Sequence, residues 1–161
     1  MKVIDILNNT DKAVFSFELV PPLKGGDINK IYEAIEPLIA LAPPFINITF
    51  HRDEVVYREY PDGTIKKVTV TKRPGSVALA AAIMRRYNVD MVPHIVCGGA
   101  TRHKIENELI DLNFLDIENV MALRGDPIPG ERFFTPEEGG HQYSCEPVSY
   151  THLTLPTTPY V

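Results

Sequence analysis

Four apolar runs in this 161-residue chain end in groups that can titrate or hydrogen-bond: Ser16 and Glu18, then Asn47, Thr49 and His51, then His94, then Arg124 and Asp126. A carboxyl such as Glu18 can give a proton to a reacting nitrogen or oxygen, and His94 can relay one or hold a ligand. Arg124 offers a rigid planar fork of donors, Asp126 accepts hydrogen bonds, and Gly125 between them lets the backbone approach a ligand closely. Each has a plainer reading: Glu18 turned to solvent, His94 satisfied in a core, Thr49 an ordinary strand residue, and Arg124 and Asp126 a surface ion pair of small value. What favours a site is convergence, because several such groups at equivalent strand ends are hard to explain as separate accidents of packing.

Other chemistries lack their signatures. There is no nucleophile elbow, no Walker loop and no G-x-G-x-x-G, and no His/Cys/Asp/Glu cluster has metal-ligand spacing, so no metal site is expected. "CGGAT" (97–101) before a helix could offer amides to a phosphate, but an ordinary helix-entry loop explains it equally. A net charge of -5 without a basic block excludes general nucleic-acid or anionic-lipid binding and leaves small molecules as partners. Two cysteines, Cys97 and Cys145, make no disulfide framework and fit a reducing cytoplasm. The longest apolar stretch, "VALAAAIM" (77–84), is far short of the roughly 20 residues that span a bilayer, and "MKVIDILNN" is no signal peptide.

The elements that must position these residues follow from periodicity. "AVFSFELV" (13–20) reads as a buried strand stopped by Pro21-Pro22. Asp27 caps a helix with Ile28, Ile31, Ile35, Leu38, Ile39 and Ala42 on one face, kinked or shortened by Pro37. "FINITF" (45–50) is a second strand, and two alternating runs around Pro61-Asp62-Gly63 predict an inserted hairpin over 55–70. Ser76 caps a second helix, "MVPHIVC" (91–97) is a third strand, Thr101 opens a third helix, and "NVMAL" (119–123) is a fourth strand. Apolar strands alternating with amphipathic helices indicate an α/β protein with parallel strands and right-handed crossovers. A doubly wound sheet and a (β/α) barrel both satisfy this order, and both gather their chemistry at the carboxyl ends of the strands.

"FSFELVPP" (15–22), "FINITF" (45–50), "PHIVC" (93–97) and "NVMALRGDPIPGE" (119–131) resemble, in order and spacing, the methylenetetrahydrofolate reductase family. The likeness covers roughly residues 3–144. It implies a (β/α)8 TIM barrel, here incomplete with about four βα units and the hairpin inserted after strand two. It also implies FAD at the carboxyl face, NADH or NADPH as hydride donor, and 5,10-methylenetetrahydrofolate as the small-molecule substrate reduced to 5-methyltetrahydrofolate. On that resemblance Glu18 matches the general acid that opens the folate ring, and its place at an apolar strand end would favour the protonated form. Asp126 matches the aspartate between flavin and folate. Arg124, Gly125, Thr49, His94 and Tyr143 match positions along the flavin. The resemblance leaves room for a homo-oligomer of the full-length enzyme.

Two departures stand out. Phe50-His51-Arg52 occupies a place where many relatives carry a tyrosine, a glycine and a small residue. From about Glu146, "EPVSYTHLTLPTTPYV" lacks a helical period and reads as non-native or disordered sequence, so the domain is drawn over 1–145 and the tail over 146–161. A whole barrel needs about 250 residues, so the sequence predicts exposed apolar edges, poor solubility and little reductase activity for this chain alone. Two other readings are a non-catalytic half-barrel module for assembly and a flavin-independent lyase or transferase barrel using Glu18 and His94.

Overall fold

The computed structural model describes residues 1–127, 132–136 and 138–148. Four strands, β1 (Phe17–Leu19), β2 (Phe45–Ile48), β5 (Asp90–Val96) and β6 (Met121–Leu123), form one sheet in the order β1-β2-β5-β6, every neighbour parallel. The hairpin of β3 (Glu54–Glu59) and β4 (Ile65–Val70) is a separate antiparallel pair following β2, as the turn chemistry predicts. Its loop closes because Gly63 adopts φ 77° and Asp62 accepts hydrogen bonds from the Thr64 amide and hydroxyl.

Register decides which side chains share a face. Glu18 lies opposite Asn47, Asn47 opposite Val92, and His94 opposite Met121. With side chains alternating along each strand, Glu18, Asn47, Thr49 and His94 fall on one face, while Leu19, Ile46, Ile48, Met91 and Ile95 fall on the other. The second face is the core. There α2 (Ile28–Ile39), α3 (Ser76–Tyr87) and α4 (Arg102–Phe114) contribute Ile35, Ile83, Ile105 and Leu109 to one buried cluster with the strand residues. Ile35, Ile46, Ile48 and Ile83 are completely buried, each such side chain stabilising by about 1.5–3 kcal/mol.

The helix ends follow local chemistry. Asp27 accepts the Asn29 amide at 2.9 Å and starts α2, and Thr101 accepts the Lys104 amide at 3.4 Å and starts α4. Pro37 sits inside α2, which stops at Ile39, so the expected extension to Ala42 does not form. Ser76 is not the cap of α3. Gly75 holds that position, and the buried Ser76 hydroxyl instead donates to the His94 carbonyl at 2.9 Å, tying the helix to β5. Left-handed Asn88 closes α3 at its far end.

Three sequence expectations need correction. β1 spans only Phe17–Leu19 rather than 13–20, because it pairs on one side alone, and Phe15 is 76% exposed. β6 begins at Met121 rather than Asn119, because the Asn119 side chain accepts from the Val3 amide and donates to the Met1 carbonyl. Those bonds hold an unexpected short helix, α1 (Val3–Asn8), near the amino ends of the strands, where the Met1 amino group also pairs with Asp90 at 2.6 Å. Residues 145–148 form a helical turn with Pro147 buried, and the tail from residue 149 lies outside the described residues. Among the described residues, no helix is long and apolar enough to cross a membrane.

Candidate functional site

The face of the sheet not covered by helices carries the first group of candidate residues. His94 is buried, 4% exposed, and its Nε2 has no hydrogen-bond partner among the described residues. The nearest carboxylate oxygen, on Glu18, is 3.9 Å away, within ion-pair range but too long for a hydrogen bond. Burial pushes the His94 pKa below the ordinary histidine value, and the Glu18 charge opposes that shift. Burial thus disfavours the charged imidazolium, and Nε2 is a buried ring nitrogen without a hydrogen-bond partner among the described residues.

Asn47 stands between the two strands that carry Glu18 and His94. Its amide donates weakly to Ser16 Oγ at 3.4 Å, whereas its buried Oδ1 has no partner among the described residues. Buried polar atoms without partners are uncommon in folded proteins, since each costs about 1–3 kcal/mol. Two such atoms share one face with the Glu18 carboxyl. Glu18 departs from expectation in one respect. Its side chain is 58% exposed, so it is not a carboxyl enclosed in an apolar strand end.

The second group surrounds a cleft of about 1100 Å³ at the carboxyl ends of β2, β5 and β6. His51, Arg52, Arg124, Gly125, Asp126 and Tyr143 line it. This volume matches or slightly exceeds the range of small-molecule sites. Thr49 joins the two groups: its amide extends the ladder to the Leu19 carbonyl at 3.0 Å, and its hydroxyl lies 3.3 Å from His51 Nε2.

Arg124 and Asp126 form no ion pair among the described residues, so the plain surface-pair reading is set aside. The Arg124 guanidinium lies 4.7 Å over the ring of Phe134, with Arg52 on the same ring at 5.5 Å. Gly125 has φ 93°, and a Cβ there would stand 2.6 Å from Val96 Cγ1, so only glycine fits that turn. Gly98 is equally tight. Its amide donates to the Arg124 carbonyl at 3.0 Å, and Phe134 packs directly on its Cα, closing the "CGGAT" loop over. His141 Nδ1 lies 3.1 Å from the Ala100 carbonyl and fixes the 138–148 segment against the same loop.

Sequence reasoning named Arg52 only as a departure, read Ser76 only as a helix cap, and did not single out Phe134. Arg52 could have been flagged as a cation beside strand-end polar groups; Phe134 had no local signal, because its role comes from packing on a glycine 36 positions earlier. Cys97 is buried, its thiol pushed up to about 11 mainly by desolvation with help from the Glu108 charge, and lies outside the cleft.

A parallel sheet with helices on one face, polar groups on the other and a cleft at its carboxyl ends defines an α/β domain. A family model described as methylenetetrahydrofolate reductase matches residues 2–154, and the chain belongs to that family. It is similar to methylenetetrahydrofolate reductase (NADH) 1 of Arabidopsis thaliana, 26% identical over 93% of this chain and 23% of the relative. It is 27% identical to methylenetetrahydrofolate reductase 1 of Schizosaccharomyces pombe over 93% of this chain and 23% of that protein. It is 25% identical to 5,10-methylenetetrahydrofolate reductase of Salmonella typhimurium over 71% and 33%. The chain thus spans about a quarter to a third of the length of these relatives.

Proposed function

We propose that this chain supplies the amino-terminal half of the barrel domain of a flavin-dependent reductase that converts 5,10-methylenetetrahydrofolate to 5-methyltetrahydrofolate. The observation that carries this reading is the pair of buried, unpartnered atoms, Asn47 Oδ1 and His94 Nε2, on the face that also bears Glu18. Family membership adds weight. Bound FAD would supply the hydride step between NADH or NADPH and the folate.

The chain's own residues divide the remaining work. Glu18, reachable from solvent on the uncovered face, is the carboxyl that protonates the folate nitrogen and so favours opening of its five-membered ring. His94, Thr49, Arg124, Gly125 and Tyr143 hold the cofactor. His94, whose charged form burial disfavours, offers a ring nitrogen to a polar atom of the ligand, and Arg124 offers a fork of donors at the cleft. Asp126, exposed in the loop after β6, accepts hydrogen bonds from the substrate and disfavours negative charge building up nearby.

The edges of β1 and β6 support an incomplete barrel, since among the described residues each has one unpaired side on which further strands can build. Those edges also support the second reading, a half-barrel that works only on assembly, because Val20, Met121 and Leu123 are exposed there. Loading the purified chain with FAD and removing excess by gel filtration tests the first. Retained flavin absorbance that Arg124→Ala abolishes is the expected result, with no turnover of the folate by this chain alone. A soluble, cooperatively melting chain that never retains flavin would overturn the cofactor assignment and favour assembly.

A further inference from the structure

Arg52 follows β2 and lines the cleft, yet its Nε and Nη2 are shut off from water with no hydrogen-bond partner among the described residues. These two nitrogens form the side-on edge of the guanidinium, the edge that takes two oxygens of one carboxylate or phosphate at once. Both lie 3.5 Å from where a Cβ on Gly125 would stand, so the edge rests against a residue with no polar side chain. The neighbouring carboxylates do not fill it. Glu54 is paired with Lys72, and Asp53 and Asp126 form no ion pair with Arg52 among the described residues. Arg124 likewise lacks a carboxylate partner among the described residues, and both guanidinium groups lie over the Phe134 ring.

Charged donors are not stored unsatisfied without an energetic penalty. We infer that Arg52 is a bidentate oxyanion-binding residue of the cleft, taking a phosphate or carboxylate group of a ligand. Binding requires this edge to turn from the Gly125 backbone into the adjoining cleft, which Arg52 lines. Arg124, over the same Phe134 ring, adds a second positive charge to the cleft. The inference is independent of the flavin assignment, since it concerns any ligand that bears such a group.

Calorimetric titration of the full chain with pyrophosphate and, separately, with glutarate tests it and separates the two sources. Binding of at least one is expected, weakened tenfold or more by Arg52→Met and substantially by Arg52→Lys, which keeps the charge but loses the fork. Without ligand, Arg52→Met should melt at the same temperature or higher, because it removes an unsatisfied charge. A merely structural arginine would lower that melting temperature. Failure of the parent to bind either probe, or equal affinity in Arg52→Met, overturns the inference. Flavin retention measured in parallel keeps the outcomes apart, as unaltered oxyanion affinity with flavin retained sinks only this assignment, and oxyanion binding without flavin sinks only the reductase cofactor.

Discussion

Replacing Gly98 by alanine probes the joint where β5, β6 and the Phe134 segment meet. A Cβ at position 98 would stand 2.2 Å from Phe134 Cζ and 2.6 Å from the Arg124 carbonyl oxygen, against an ordinary carbon contact of about 3.5–4.0 Å. The ring can swing aside, being the far end of a side chain. The carbonyl cannot move without stretching the Gly98 amide bond that it accepts at 3.0 Å. Overpacking of this kind costs about 1–3 kcal/mol, and weakening that hydrogen bond adds about 1 kcal/mol. Gly98 does not need a positive φ, so alanine recovers about 0.4–1 kcal/mol by restricting the unfolded chain. The net loss is about 2 kcal/mol, or roughly 4–8 °C in Tm for a domain of this size. Urea and thermal denaturation followed by circular dichroism measure it. Adding Phe134→Ala should recover the part due to the ring and leave the part due to the carbonyl, a coupling read directly from the double-mutant cycle. A Gly98→Ala chain within about 0.5 kcal/mol of the parent would refute the packing described for this joint.

Other outcomes follow from single residues. Ile83→Ala empties a fully buried site against the sheet and should cost about 2–5 kcal/mol in denaturant titration. Thr101→Ala removes a cap whose bond is long at 3.4 Å, so its cost should fall at the low end, about 0.5–1 kcal/mol. His94 has a folded pKa below its unfolded value of 6.5, so the unfolded chain binds the proton first as pH falls. Its contribution to stability is whole above about pH 6.5 and declines as pH drops toward the folded value, and His94→Gln should flatten that stretch of a stability-versus-pH curve. Cys97, with its thiol near 11 and buried, should resist a thiol reagent at pH 8, where about one molecule in a thousand carries the thiolate, whereas exposed Cys145 should react readily. Equal labelling rates in the native protein would contradict the burial of Cys97.

The division between what was legible in the chain and what was not follows interaction range. Alternating apolar strands and helices, the Asp27 and Thr101 caps, and the Pro61-Asp62-Gly63 turn were readable because each depends on neighbours within a few residues. The strand-end polar groups were readable for the same reason, as was the face they share once parallel register is granted. β1 came out shorter than its apolar run with one pairing strand among the described residues, and β6 because the Asn119 side chain is committed to the amino-terminal segment. The tertiary structure alone revealed that Glu18 is exposed while His94 and Asn47 are buried with unpartnered atoms. It alone turned the Ser76 hydroxyl from cap to tether, and set Arg52 and Arg124 over the same Phe134 ring. Sequence fixes which groups a chain can offer; desolvation and the presence or lack of a partner depend on what distant segments bring to within a few ångströms.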